Sequence, residues 1–355
     1  MMRDKIVISG IGMIGDFGAG KKDFCTFLSV RKSISDLCFD DYMDTSPLRR
    51  ADELSYCATI AAKLALQDAK LDHLNAVCNK RIGVVLGTTH GSLAYSIDYN
   101  KELIMNGPAM VSPMLFSNSV LNAPSSYVSA ALNIQGASIT ISGYTPVFQA
   151  LKYAMDLIRQ DILDCCLVGG VDVYNEIILD GYSNCIKDTS MLKNRYGGSG
   201  FVVVESAESQ KKRGVVGYAE IQGTQTFCVS SQNKKSDNIF NSQHLLDSRC
   251  SPGVDYVLAS YNQDGAGVKF EKYLLENTKE NNVVNCTKIF GHTFAASESF
   301  QIIFGAMALQ GSNDLSGLDA SIARNKNLDS LMISKSFKAS ASYSIMTKME
   351  RRLEK

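Results

Sequence analysis

The 355-residue chain balances 36 lysines and arginines against 36 aspartates and glutamates, and 45% of its residues are apolar. That length accommodates one large α/β unit or two smaller domains with a full core, and zero net charge supplies no basic field for nucleic acid or an anionic membrane. No apolar run approaches the roughly 20 residues that span a bilayer, and the Met1–Ile6 opening lacks a signal-peptide core, so cytoplasmic residence is expected.

In chain order, Ile6 to Gly12 reads as a buried strand ending in a glycine turn. Its Gly10-Ile11-Gly12 is not a nucleotide fingerprint, because no third glycine follows at the required spacing. Ser55 is placed to cap a helix over Tyr56 to Lys70, with Ile60, Ala61, Leu64 and Leu66 near helical spacing. Arg81 to Gly87 is a core strand, and Ala137 to Ile141 is another. A turn, Ser142 to Pro146, then leads into a helix over Val147 to Arg159. Leu167 to Val171, Gly200 to Glu205 and Tyr218 to Gly223 continue the strands, and the polar stretch Ser231 to Arg249 reads as a surface loop. Continuous valine and isoleucine runs alternating with helices point to buried sheets covered on both faces.

A faint repeat is present. Thr140 to Thr145 followed by Val147 to Met155 resembles Lys288 to Thr293 followed by Phe300 to Met307, each reading as strand, glycine turn and amphipathic helix. Asp164 to Val171 and Asp255 to Ser260 repeat likewise. Two copies of one α/β unit across a pseudo-dyad would bring both turns to one place.

The turn Ser142 to Pro146 is where many α/β enzymes hold a nucleophile, since the helix's unpaired N–H groups and partial positive charge lower a thiol's pKa. None of the ten cysteines falls in it. They form no CxxC pair and read as reduced thiols packed as small hydrophobes, Cys165-Cys166 as strand core. The four histidines, His73, His90, His244 and His292, show no metal-ligand spacing, and no metal or other cofactor is expected.

Several segments together resemble the β-ketoacyl-acyl-carrier-protein synthases, condensing enzymes of the thiolase fold. They are IVISGIGMIGDFGAG from Ile6, with Phe24 and Leu28 in the next helix, GVVLGTTHGS from Gly83, and Val111 to Ser142. GGSGFVVVESAESQKKRG from Gly197, VGYAEIQG from Val216 and KIFGHTFAAS from Lys288 complete the series. The resemblance covers most of the chain and implies an α/β, thiolase-like fold. That fold has two duplicated halves with five-stranded mixed sheets in an αβαβα layering, here residues 1–215 and 216–355 as one compact unit with the nucleophile-turn region at 137–160.

The family places a thioester-forming cysteine in the turn, and two histidines, or a histidine and an asparagine, in the second half. Here the nucleophile position falls on Tyr144, whose phenol, of ordinary pKa about 10, is a poor acyl acceptor and reads instead as a plug of the former slot. The first histidine motif falls on Ala259 to Asn262, so Ser260 replaces that histidine. The second survives as Gly291-His292, with Lys288 upstream one residue closer than usual. The family's glycine-rich C-terminal loop corresponds to Ser336 to Ser342, with its glycines gone. His292 is either a retained catalytic imidazole or a buried, hydrogen-bonded turn residue. Lys288 either anchors His292 or an acidic neighbour, or is a solvated strand-end charge. Met105, Met110, Met114, Leu115 and Phe116 read as core, with a pocket or interface role as the alternative the resemblance offers.

The resemblance therefore implies a catalytically degenerate subunit, like a chain length factor or an aryl-polyene ketosynthase partner. It would pair with an active ketosynthase through Ala137 to Ile141 and shape the acyl tunnel with Met114, Phe116 and Tyr144. Substrates would arrive on the phosphopantetheine of an acyl carrier protein. The alternatives are malonyl-carrier decarboxylation by His292 assisted by Lys288, and a carrier-protein-binding scaffold.

Overall fold

The computed structural model describes residues 5–26, 32–72, 79–174, 176–185, 197–228, 254–260, 282–312, 328–337 and 340–349, with positions 315, 318, 319, 322 and 325. The stretch 231–249 lies outside the described residues, as do Leu28, Tyr261, Asn262, Lys338 and Ala339. Strand β1 (Ile6–Gly15) is buried along its whole length, and the two-residue β2 (Gly18–Ala19) folds back on it before α1 (Gly20–Cys25). Gly10 and Gly12 have a packing reason. A Cβ at either position would collide with the backbone of α2 (Glu53–Asp68) at Ala61 and Ala65, so an alanine-rich helix lies directly on the strand.

Helix α2 starts three residues before the expected Tyr56, and its cap is Asp52 rather than Ser55. The Ser55 N–H donates to Asp52 Oδ1 at 2.8 Å, the usual N-cap-to-N3 bond that frees the helix to begin at Glu53. The first half continues with β3 (Ile82–Thr88), α3 (Leu93–Asn106), α4 (Pro113–Ser119), α5 (Ala123–Ala131) and β4 (Ser138–Ser142). Helix α6 (Pro146–Arg159), β5 (Cys165–Asp172), α7 (Glu176–Cys185), β6 (Gly198–Ser206) and α8 (Ala207–Arg213) complete it. The second half holds β7 (Ala219–Cys228), β8 (Tyr256–Ser260), β9 (Val283–Asn285), α9 (Cys286–Phe290), α10 (Phe294–Gln310), β10 (Ser330–Phe337) and β11 (Ser340–Lys348).

Hydrogen bonding runs β4-β3-β5-β6-β1-β7-β11-β10-β8-β9. With the two-residue β2, which pairs only with β1, left out of the count, both halves read third, second, fourth, fifth, first strand inward from their outer edges. In each, three parallel strands are followed by two antiparallel ones. The expected pair of five-stranded sheets is thus joined into one sheet, because β1 and β7 bond through Ile6–Ile221, Val7–Glu220 and Ile8–Ala219.

Helices α6 and α10 each contact strands of both halves and form the layer between them. That explains a departure from the expected amphipathic Phe300–Met307 helix. Every residue of α10 from Phe294 to Leu309 is buried, because both halves cover it. Its Phe300, Ile302, Ile303 and Phe304 anchor the main core, each worth roughly 1.5–3 kcal/mol of apolar burial. The expected strand at Lys288–Phe290 is also different. Asn285 Oδ1 accepts the Lys288 N–H at 3.2 Å and starts the short helix α9 there.

Candidate functional site

The strand-to-helix turn forms as the sequence suggests. Strand β4 ends at Ser142, Gly143 N–H donates to Thr88 O at 3.3 Å, and Pro146 opens α6. Thr145 occupies the N-cap position without bonding the helix, and its Oγ1 instead meets Ser342 Oγ at 2.7 Å, in the second half. Ser342 Oγ donates onward to Thr226 Oγ1 at 2.8 Å. Tyr144 does not plug a buried slot: it is 43% exposed. Its place beside the outer strand β4 lets the phenol reach solvent.

On the other side, the chain turns at Gly291 (φ 65°), buries His292, and enters α10 through Phe294. Phe294 has φ 47°, a left-handed conformation that a bulky aromatic residue adopts only under outside constraint. Burial first, then the nearby Lys335 ammonium and the electrostatic influence of the neighbouring His90 ring, pull the His292 pKa down to about 3, so its imidazole is neutral at neutral pH. The Tyr174 hydroxyl donates to the His292 carbonyl.

The cation beside this turn is Lys335, not Lys288. Lys288 is exposed on α9. Lys335 is 2% exposed and sits in β10 in register with Ser260 and Ser342. Its ammonium donates to Phe294 O and, at 2.8 Å, to Ser297 Oγ, and lies 3.3 Å from Glu298 Oε1. Glu298 is fully buried, and burial raises its pKa to about 7 against the opposing pull of Lys335 and backbone N–H groups. Its Oε2 accepts the Val147 N–H at 2.9 Å, in the first turn of α6. The two turns do converge, and Glu298 is the residue that joins them.

Sequence reasoning missed this pair, although a signal was present. Glu298 is the sole ionisable residue in the 17-residue α10 and Lys335 the sole one in β10. A lone acid and a lone base inside apolar elements are almost never fully buried unless paired. At the lost-histidine position, Ser260 is buried and accepts from Gln301 Nε2. Asp172 forms a third knot. Its carboxylate accepts Thr88 Oγ1, Thr89 N and His90 N at 3.0 Å and Ala295 N at 2.9 Å, binding the ends of β3 and β5 to the start of α10. The His90 ring packs on Phe294 at 4.2 Å between centroids, and its Nε2 lies 3.0 Å from Tyr182 Oη.

Cys165 and Cys166 are buried in β5 as expected, and burial pushes both thiols far up. The Met114 and Phe116 region is not core. Met105, Met110, Met114 and Phe116 are 81%, 72%, 49% and 56% exposed, because the end of α3, the turn after it and α4 leave these side chains uncovered. The outer strand β4 has one bonded neighbour, β3, and its residues are only partly covered.

A family model described as the N-terminal domain of β-ketoacyl synthase matches residues 5–206. The chain belongs to the β-ketoacyl synthase family. A 3-oxoacyl-[acyl-carrier-protein] synthase 2 of Staphylococcus aureus is 25% identical over 302 residues, covering 77% of this chain and 75% of that protein. One from Coxiella burnetii (strain RSA 493 / Nine Mile phase I) is 22% identical over 360 residues, covering 87% of each. Among solved structures, the ishigamide ketosynthase/chain length factor superposes with a TM-score of 0.78 at 19% identity, over 98% of this chain and 100% of that one. A type II polyketide synthase acyl-carrier protein in complex with its ketosynthase, bound to the hexaketide, gives 0.73 at 16% identity, over 98% and 100%. These likenesses establish the thiolase-like fold of a ketosynthase. Among the described residues, no helix is long and apolar enough to cross a membrane.

Proposed function

We propose that this β-ketoacyl synthase family member is the degenerate half of a ketosynthase pair, a chain-length-factor-like subunit in type II polyketide or aryl-polyene assembly. The observation that carries the reading is the turn itself: no thiol lies between Ser142 and Pro146, and the first amide of α6 beyond Pro146 is held by Glu298. An acyl-transfer centre needs an activated nucleophile at that place. The outer strand β4 and the exposed Met105, Met110, Met114 and Phe116 give the reading its second support, since a one-sided edge strand and large exposed apolar side chains suit a protein partner. The ketosynthase and chain length factor named among the structural neighbours support the same pairing. In this role Met114, Phe116 and Tyr144 face the partner and its growing acyl chain, delivered on an acyl carrier protein, and the partner supplies the cysteine.

Isolating the full chain from its host and identifying the proteins that come with it tests the reading. A stoichiometric ketosynthase with an intact cysteine is expected, and Phe116→Ala in the pair should shift product length. A stable homodimer that condenses malonyl and acyl thioesters unaided would exclude it.

A further inference from the structure

Helix α6 is 14 residues long, so its N-terminus carries the partial positive charge and unpaired N–H groups that attract an anion. In this chain an anion is already there, supplied from the opposite half. Glu298 Oε2 takes the Val147 N–H at 2.9 Å, and Glu298 Oε1 lies 3.3 Å from the Lys335 ammonium. Both side chains are buried, at 0% and 2% exposure. Lys335 also holds the carbonyl of Phe294, the residue in the left-handed conformation, and Ser297 Oγ, so the carboxylate's counter-charge is fixed by three contacts. Thr145 is tied to Ser342 on the same side.

We propose that Glu298 is an internal occupant of the anion-receptive end of α6, held there by Lys335, and that together they close this chain's own turn to an activated thiolate or an acyl carboxylate. This deepens the reading above, and rests on it only in taking the turn as the place of the family's nucleophile. Glu298 acts here as a positioning residue. It satisfies the Val147 amide, places a negative charge where a thiolate would have to form, and fixes the turn from which Tyr144 projects. Loss of the cysteine is then not the only barrier to acyl loading, and restoring a thiol alone does not restore an activated one.

The test is the ionisation of a thiol introduced by Tyr144→Cys in the full chain, in the assembly in which it is isolated. Iodoacetamide alkylation at residue 144 is followed by peptide mass spectrometry across pH. With Glu298 and Lys335 in place, the thiol should titrate at about 8.5 or above, as an unactivated cysteine does. A value below about 7.5 would overturn the proposal, because the helix end would then be open. Adding Glu298→Gln, which can still accept the Val147 N–H but leaves Lys335 unmatched, should lower the thiol's pKa by about one unit. That corresponds to a roughly ten-fold faster alkylation at pH 7. An unchanged pKa overturns the proposal, whether the rate is also unchanged or rises through a loosened turn. The first measurement stands even where Glu298→Gln fails to fold. Neither readout depends on which proteins copurify, so this inference and the pairing reading fail separately.

Discussion

The turns that precede α6 and α10 lead to corresponding helices in two halves of identical strand order, yet the chain treats them oppositely. The first has no ionisable residue except Tyr144, whose phenol is partly in solvent, and its helix end is neutralised from outside. The second is buried, backbone-strained at Phe294, and surrounded by His292, Lys335 and Glu298. The difference teaches that the polar machinery of this molecule has moved to one side of its pseudo-dyad. The anion-binding end of one half is satisfied by a carboxylate of the other.

Lys335→Met is the harshest way to break that asymmetry. It leaves the Glu298 carboxylate buried without its cation and releases the Phe294 carbonyl, so a loss of about 3–5 kcal/mol of stability is expected by urea or guanidinium unfolding. The double substitution Lys335→Met with Glu298→Leu should recover much of that loss, since it removes both charges together. A single variant within 1 kcal/mol of the parent, roughly the size of an exposed ion pair, would show that the pair does not hold the two halves together.

Protonation gives a second, smaller handle on the same turn. His292 titrates near 3 in the folded chain against an ordinary 6.5, so between those values the unfolded chain binds more protons. The stability His292 contributes is therefore present above pH 6.5 and lost as pH falls toward 3, by up to about 1.4 kcal/mol per pH unit. Glu298 runs the other way. Its pKa of about 7 lies above the ordinary 4.5, so its contribution is present below 4.5 and lost as pH rises through 7. The two slopes oppose between 4.5 and 6.5, which flattens the parent's profile. His292→Gln should uncover a stability that falls with rising pH across that window. Parallel profiles for parent and variant would show that the imidazole is not held neutral by burial.

Several core strands, the turn before α6 and the family were legible in residues such as the Ile6–Gly12 run, Ser142–Pro146 and Gly291-His292, because local pattern and spacing encode them. What was not legible depended, with one local exception at the start of α2, on elements far apart in sequence. Asp52 out-competed Ser55 as the cap of α2 because one more residue of context decides which carboxyl or hydroxyl reaches the N3 amide. The methionines of α3 and α4 looked like core since composition cannot say which face of a helix the rest of the chain covers. The Glu298–Lys335 contact joins a helix to a strand 37 positions on, and neither residue belongs to the motif carrying the resemblance.

Lys288→Ala is the mildest test and the sharpest for the boundary of the site. The motif comparison placed Lys288 beside His292, but α9 turns its side chain to solvent, while Lys335 is the buried cation at that turn. An exposed lysine on a five-residue helix contributes little, because water screens its charge and its flexible stem loses entropy when held. Replacing it should change stability by no more than about 0.5 kcal/mol and leave the His292 titration, followed by histidine NMR, where it was. Lys335→Met should instead raise the His292 pKa, since a positive charge that disfavours the imidazolium is removed. If Lys288→Ala moved that titration and Lys335→Met did not, the cation serving the second turn would be the one the sequence named, and the division of charge between the halves would have to be redrawn around α9.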